Sequence, residues 1–378
     1  MRKIRLILIW IIISFTYSSY AQITADFTAI DQWVSRQRLQ DTGLTALTHK
    51  LVAPAKNNLE KIRAIYQFVI HFLSYDHEAA ESVHRRINQN TYDILKRKKG
   101  TCWDYASLVC TMAPTAGIPC HVVSGFSKAD NRPTAVDSVP DHAWNVVYLD
   151  SMFYLLDATW ESSRIATGEN KKQNPDLVYF LTPPEKFIVD HFPSLPAFQL
   201  LRCPLSMEEF IQKVEHEQDT PCTYSFQDKL KLFLGKSFLE QKIIEMESDF
   251  RMRPNDKNRT GWGHALIDKA IVQKERADVL YEQNDYAASL PIYAEALLFF
   301  RQGEEKTPLY PWQKESQAFC HLNYAQVLYR FNHRQGLSLD PVTHHLTMAK
   351  SILEKLNSNS FQVQNALGQI ARFLKALE

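Results

Sequence analysis

The chain has 378 residues, with 43 lysines and arginines against 42 aspartates and glutamates and a formal net charge of +1. A balance this close creates no overall field to draw in a nucleic acid or an anionic membrane, so neither is expected as a partner. The length is sufficient for two ordinary cores.

The first residues, MRKIRLILIWIIISFTYSSYAQ, set Arg2, Lys3 and Arg5 before an apolar run from Leu6 to Phe15, then close on the small-x-small pattern Ser19-Tyr20-Ala21. This reads as a secretory signal peptide over 1–21, because the apolar run is short for a membrane span; an uncleaved anchor is the alternative. The expected location is therefore exported, periplasmic or extracellular, with no stable membrane span after cleavage.

From Asn57 to Ser74 the residues Leu59, Ile62, Ile65, Tyr66, Val69, Phe72 and Leu73 keep helical spacing, which predicts an amphipathic helix with one buried face. A shorter helix is predicted over Thr91–Lys98, and its basic end, Lys96-Arg97-Lys98-Lys99, reads as solvated. Gly100 then turns the chain into Cys102, and Tyr105, Leu108, Val109 and Met112 follow at helical spacing, so Cys102 falls in the first turn of a buried helix. Unpaired N–H groups and the dipole at a helix start favour an anion, and the thiolate is the nucleophilic form of cysteine.

A strand is predicted from His121 to Phe126. The polar loop that follows, with Pro133 and Pro140, is long enough to act as a lid or substrate contact. Two alternating runs, His142–Leu149 and Met152–Asp157, flank Asp150-Ser151 and predict a tight β-hairpin. That pairing sets His142 and Asp157 at the same end of two neighbouring strands. A histidine beside a helix-terminal cysteine can take its proton, and an aspartate on the far ring nitrogen fixes tautomer and orientation.

His121 shares a strand face with Val123 and Gly125, has no evident acidic partner and reads as structural. A metal site on Cys102, His142 and Asp157 lacks a second cysteine or histidine at ligand spacing, so no metal is expected. No cofactor is implied, and no clustered acidic loop suggests calcium. With Cys102 kept for chemistry, Cys110, Cys120, Cys203, Cys222 and Cys320 remain, an odd number; Cys203 with Cys222 is the pairing considered.

Residues 161–176 read as a surface loop, and the proline-rich stretch Pro183–Pro204 closes a first domain. Beyond it, Met207–His216 and Ser225–Phe250 are predicted as helices, the latter with a strand reading left open. The helical pattern is firm from Ile267. Ala277, Ser289 and Ala296, spaced among Leu280, Tyr286, Leu290 and Tyr293, resemble the small-residue packing of a tetratricopeptide repeat. A partial second unit begins at Asn323-Tyr324-Ala325, but Pro291 lies inside the first and the spacing is long, so the expectation is a bundle of helical hairpins. Such a layer either offers a surface to a protein partner or covers the catalytic domain.

Three motifs, Gly100-Thr101-Cys102, His142-Ala143-Trp144 and Asp157-Ala158-Thr159, resemble those of the transglutaminase-like superfamily, as does the Gly117-Ile118-Pro119 turn before a strand. The stretch from Tyr179 to Leu201 looks like the branch that includes kyphoscoliosis peptidase and related bacterial exported proteins. The resemblance implies an α+β, papain-like core, with the cysteine helix packed on an antiparallel sheet bearing His and Asp. Cys102 would be the nucleophile, His142 the general base and acid, and Asp157 the orienter. Tyr75-Asp76 is similar to the pair that closes the corresponding helix in that family, with Tyr75 either an oxyanion contributor or a turn residue. Trp103 resembles the tryptophan after the nucleophile of animal transglutaminases.

The expected organisation is a signal peptide over 1–21, a transglutaminase-like domain over 22–204 and an all-α, tetratricopeptide-like domain over 205–378. The expected function is cysteine-dependent attack on peptide or glutamine amide bonds through a thioester acyl-enzyme, with hydrolysis favoured. The alternatives are protein cross-linking and a non-catalytic peptide-binding module of the same fold.

Overall fold

The computed structural model describes residues 25–37, 43–81, 91–128, 139–167, 178–212, 222, 224–356 and 358–378. The signal-peptide reading and most of the loop leading to His142 fall outside these residues. Among the described residues, no helix is long and apolar enough to cross a membrane.

In chain order the elements are α1 (Thr28–Ser35), α2 (Gly43–Val52), α3 (Asn58–Phe72), β1 (Ser74–Tyr75), α4 (His77–Glu81), α5 (Thr91–Arg97), β2 (Lys99–Gly100) and α6 (Cys102–Thr115). Then come β3 (Cys120–Ser127), β4 (His142–Leu149), β5 (Met152–Leu156), α7 (Ala158–Thr167), β6 (Phe180–Thr182), α8 (Pro184–Phe187) and β7 (His191–Pro193). The remainder is helical: α9 (Met207–Gln212), α10 (Phe226–Leu234), α11 (Phe238–Met252), α12 (Asp256–Glu282), α13 (Tyr286–Glu304), α14 (Pro311–Gln335), α15 (Asp340–Leu356) and α16 (Phe361–Leu377). The class is α+β, with a large all-helical C-terminal region.

The described residues form two compact units, one within Met1–Val122 and Ala143–Ile188, the other within Val123–His142 and Val189–Glu378. Five of the strands form one sheet ordered β6-β5-β4-β3-β7.

The first unit is built around α3. The Asn57 side chain accepts from the Glu60 N–H at 2.9 Å and caps the helix start. Every residue from Ile62 to Ile70 is buried, so α3 is enclosed on all sides rather than along the one expected face. The polar members are accommodated by pairing: the Arg63 guanidinium grips both carboxylate oxygens of Asp31, at 2.8 and 2.6 Å. Ile62, Ile65 and Val69 are fully buried, each contributing about 1.5–3 kcal/mol.

The β4–β5 hairpin runs antiparallel from Leu149↔Met152 to Asn145↔Leu156. Asp150 and Ser151 both take positive φ, 45° and 72°, the backbone of a two-residue turn that matches strand twist. A further difference from the sequence reading lies just after it, where Ala158–Thr167 forms α7 instead of a surface loop. The Asp157 carboxylate satisfies the first N–H groups of α7, and Glu161, fully buried, accepts from the Tyr179 N–H at 2.8 Å.

In the second unit, residues 225–250 form two helices. Gly235 ends α10, and Ser237 with Glu240 opens α11 through a capping box. The small residues Ala277, Ser289 and Ala296 are all buried, and α12 approaches α13 closely at Gly263 and Gly303. A Cβ on Gly303 would lie 2.6 Å from the Ile267 side chain, so only glycine fits. Pro291 is carried inside α13 without ending it. Asp278 ties three helices together, accepting from Tyr293 at 2.6 Å and from Asn323 at 2.9 Å.

Candidate active site

Cys102 is the first helical residue of α6 and is half-buried. The turn that delivers it is fixed by Asp104, whose carboxylate accepts from the Thr101 N–H at 2.9 Å and from its hydroxyl at 3.3 Å. Gly100 must be glycine, because a Cβ there would come within 2.6 Å of the Asp104 Cβ. Parallel pairing of β1 with β2 sets Tyr75 opposite Gly100, so the tyrosine singled out in the sequence lies beside the turn into Cys102. Trp103 is 55% exposed, a large apolar surface directly after the cysteine.

His142 begins β4 and is buried; Asp157 follows β5 and is fully buried. The hairpin register, continued one step past Asn145↔Leu156, sets Asp157 across from Trp144, two residues from His142. Just ahead of His142, Asp141 accepts from the Ser127 N–H at 2.8 Å and anchors the entry to the strand.

Hydrogen bonds tie the three bearing elements together. From β4, Asn145 Nδ2 donates to the Ala106 carbonyl of α6 at 2.9 Å, one helical turn beyond Cys102. The Tyr105 hydroxyl of α6 donates to the Leu73 carbonyl at 2.8 Å and meets Ser162 of α7 at 3.2 Å. One oxygen of Asp157 accepts from the Thr159 and Trp160 N–H groups at 2.8 and 3.3 Å. That grip fixes the carboxylate, and the α7 dipole favours its charge.

His191 is a residue the sequence reading left without a role. It lies in β7, fully buried, with its ring centroid 5.3 Å from that of His142 and its Nδ1 2.5 Å from Asp190 Oδ1. The histidine beside His142 thus comes from 49 residues further on in the chain. The only sequence signal for His191 was its place in the Tyr179–Leu201 stretch.

Residues 45–158 match the model of the transglutaminase-like superfamily. The chain carries a transglutaminase-like domain. Mouse kyphoscoliosis peptidase is 38% identical over 181 residues, which cover 47% of this chain and 27% of the mouse protein. The human kyphoscoliosis peptidase is 36% identical over 196 residues, 51% of this chain and 29% of the human one. The chain thus spans less than a third of the length of these relatives. A solved structure described as a TGase is 22% identical, with a TM-score of 0.24 over 35% of this chain and 32% of that chain. The transglutaminase-like match includes Cys102, His142 and Asp157.

Proposed function

We propose that the chain is an exported transglutaminase-like cysteine enzyme that opens peptide or glutamine amide bonds through a thioester on Cys102. What carries this reading is the set of hydrogen bonds that join α6, which begins at Cys102, to β4 and to α7, the helix that follows Asp157.

In this mechanism Cys102 Sγ attacks the carbonyl carbon as His142 takes its proton, and His142 then gives that proton to the departing amine. Asp157 holds the imidazole in the tautomer that faces the cysteine and stabilises the imidazolium that forms. A water molecule, deprotonated by His142, attacks the thioester and releases the carboxylic acid. Release to an amine instead would make a cross-linking enzyme. Hydrolysis is favoured because selecting an amine over water needs a dedicated acceptor channel. The name of the kyphoscoliosis peptidases agrees with hydrolysis, and export rests on the Leu6–Phe15 run.

The test is product analysis on glutamine-containing peptide libraries, with and without an added primary amine, using Cys102→Ala as the control. Cysteine-dependent release of ammonia or of cleaved peptide supports an amide hydrolase, and incorporation of the amine supports cross-linking. No Cys102-dependent product in either format would favour a peptide-binding module.

A further inference from the structure

Cysteines outside the candidate active site fall into two touching pairs, each within one unit of the fold. Cys110, in α6, is hydrogen-bonded thiol to thiol with Cys120, the first residue of β3. The turn between them brings the chain back on itself: Gly117, at φ +83°, donates to the Pro114 carbonyl at 2.9 Å, and Ile118 donates to the Ala113 carbonyl at 2.9 Å. Asn145, already bound to the Ala106 carbonyl, also reaches Cys120 Sγ at 3.6 Å and holds it against the helix. In the other unit, Cys203 and Cys222 meet in the same way, thiol to thiol, on either side of α9.

We propose that Cys110–Cys120 and Cys203–Cys222 are disulfide sites, closed when the chain meets a disulfide oxidant such as oxidised glutathione, while Cys102 and Cys320 stay as thiols. This assignment resolves the odd count left by setting Cys102 aside. Cys320 is the remaining one, fully buried in α14, where burial pushes its thiol well up.

The chemistry balances as two exchanges per pair. A thiolate of the pair attacks one sulfur of oxidised glutathione, forming a mixed disulfide and expelling one glutathione thiolate. The second cysteine, as thiolate, attacks the protein sulfur of that mixed disulfide and expels the other. Two electrons pass to the oxidant, and the two protein protons end on two reduced glutathiones. The hydrogen bonds favour one attacker in each pair: Cys110 is lowered by the bond from Cys120, and Cys222 by the bond from Cys203. The consequence for the site is mechanical. A Cys110–Cys120 bond would pin the C-terminal half of α6 to β3, at the opposite end of the helix from Cys102.

The experiment incubates the full chain in oxidised glutathione, alkylates it under denaturing conditions and maps non-reduced peptides by mass spectrometry. The expected result is peptides linked Cys110–Cys120 and Cys203–Cys222, together about 4 Da lighter than their reduced forms, with neither Cys102 nor Cys320 in a protein–protein link. Cys110→Ser should expose Cys120 to alkylation and leave the Cys203–Cys222 link in place. Alkylation of all six cysteines after oxidation would overturn the proposal, as would links that join other partners or persistent glutathione adducts on Cys110, Cys120, Cys203 or Cys222. None of these outcomes depends on whether Cys102 is catalytic.

Discussion

The Tyr66 hydroxyl, buried at the centre of α3, donates to the backbone carbonyl of Asp157 at 2.8 Å and also lies 3.1 Å from that of Tyr179. The most enclosed helix of the first unit therefore holds the backbone at the candidate orienting carboxylate. Burial, with the charges of Glu161 and Asp157 adding to it, raises the Tyr66 phenol well above its usual range, so it serves as a neutral donor. Tyr66→Phe leaves the Tyr179 carbonyl with the Asp157 N–H and the Asp157 carbonyl with only the long 3.4 Å bond from the Glu161 N–H, and a denaturant titration is expected to show a loss of about 0.5–1.5 kcal/mol.

Asp157 has two separable duties. Its cap on α7 needs an oxygen acceptor, which asparagine retains and alanine does not. Asp157→Asn is expected to stay within about 0.5 kcal/mol of wild-type stability, whereas Asp157→Ala loses about 1–2 kcal/mol. Both should lower Cys102-dependent turnover by about 10²-fold or more, because orientation of His142 needs the carboxylate. A fully active Asp157→Asn would remove Asp157 from the mechanism.

In the helical region, burial pushes the Asp249 carboxyl up to about 7 from an ordinary 3.8; the charge of Glu245 adds to this and the Ser194 hydroxyl opposes it. A raised folded-state value means that the stabilising contribution is complete below about pH 4 and is lost as the pH rises through about 7. Asp249→Asn should therefore unfold at higher temperature than wild type at pH 8, by about 1–3 kcal/mol in stability. The difference should shrink toward pH 4. An equal effect at both values would show that the charge is not the cause.

His321 of α14 and His345 of α15 share a ring-to-ring hydrogen bond, Nδ1 to Nδ1, at 2.8 Å. Burial is the main cause that lowers both, to about 3 and about 4 from an ordinary 6.5, and the nearby His344 charge adds to it. A depressed folded-state value gives stability that is present above pH 6.5 and lost as the pH falls toward these values. Thermal unfolding between pH 7 and pH 4.5 should show a steeper acid loss in wild type than in His321→Leu. Parallel curves would contradict this.

Much of this architecture is legible in the sequence, because local signals and tertiary demands agree there. The Asn57 cap, the Asp150-Ser151 turn and the glycine before Cys102 each specify a backbone that the fold uses. The failures have a common physical cause. Residues 161–167, the start of the stretch read as a surface loop, lie in α7 because Asp157 caps that helix and buried Glu161 receives the Tyr179 N–H, a partner 18 residues away. The enclosure of α3 depends on a salt bridge to Asp31, 32 residues earlier. His191 reaches His142 through the pairing of β7 with β3, which no local period encodes. The break at Gly235 was visible as Ser237-x-x-Glu240, a capping box inside a stretch read as one element.

The central claim, that Cys102 is a nucleophile served by His142, is tested most directly by site-resolved alkylation with iodoacetamide at neutral pH on the purified chain, comparing wild type with His142→Ala. Rapid labelling of Cys102 is expected in the wild type, slowed at least about tenfold in the variant, with the difference vanishing at alkaline pH, where the thiol ionises unaided. Equal labelling of Cys102 in both proteins at every pH would contradict it.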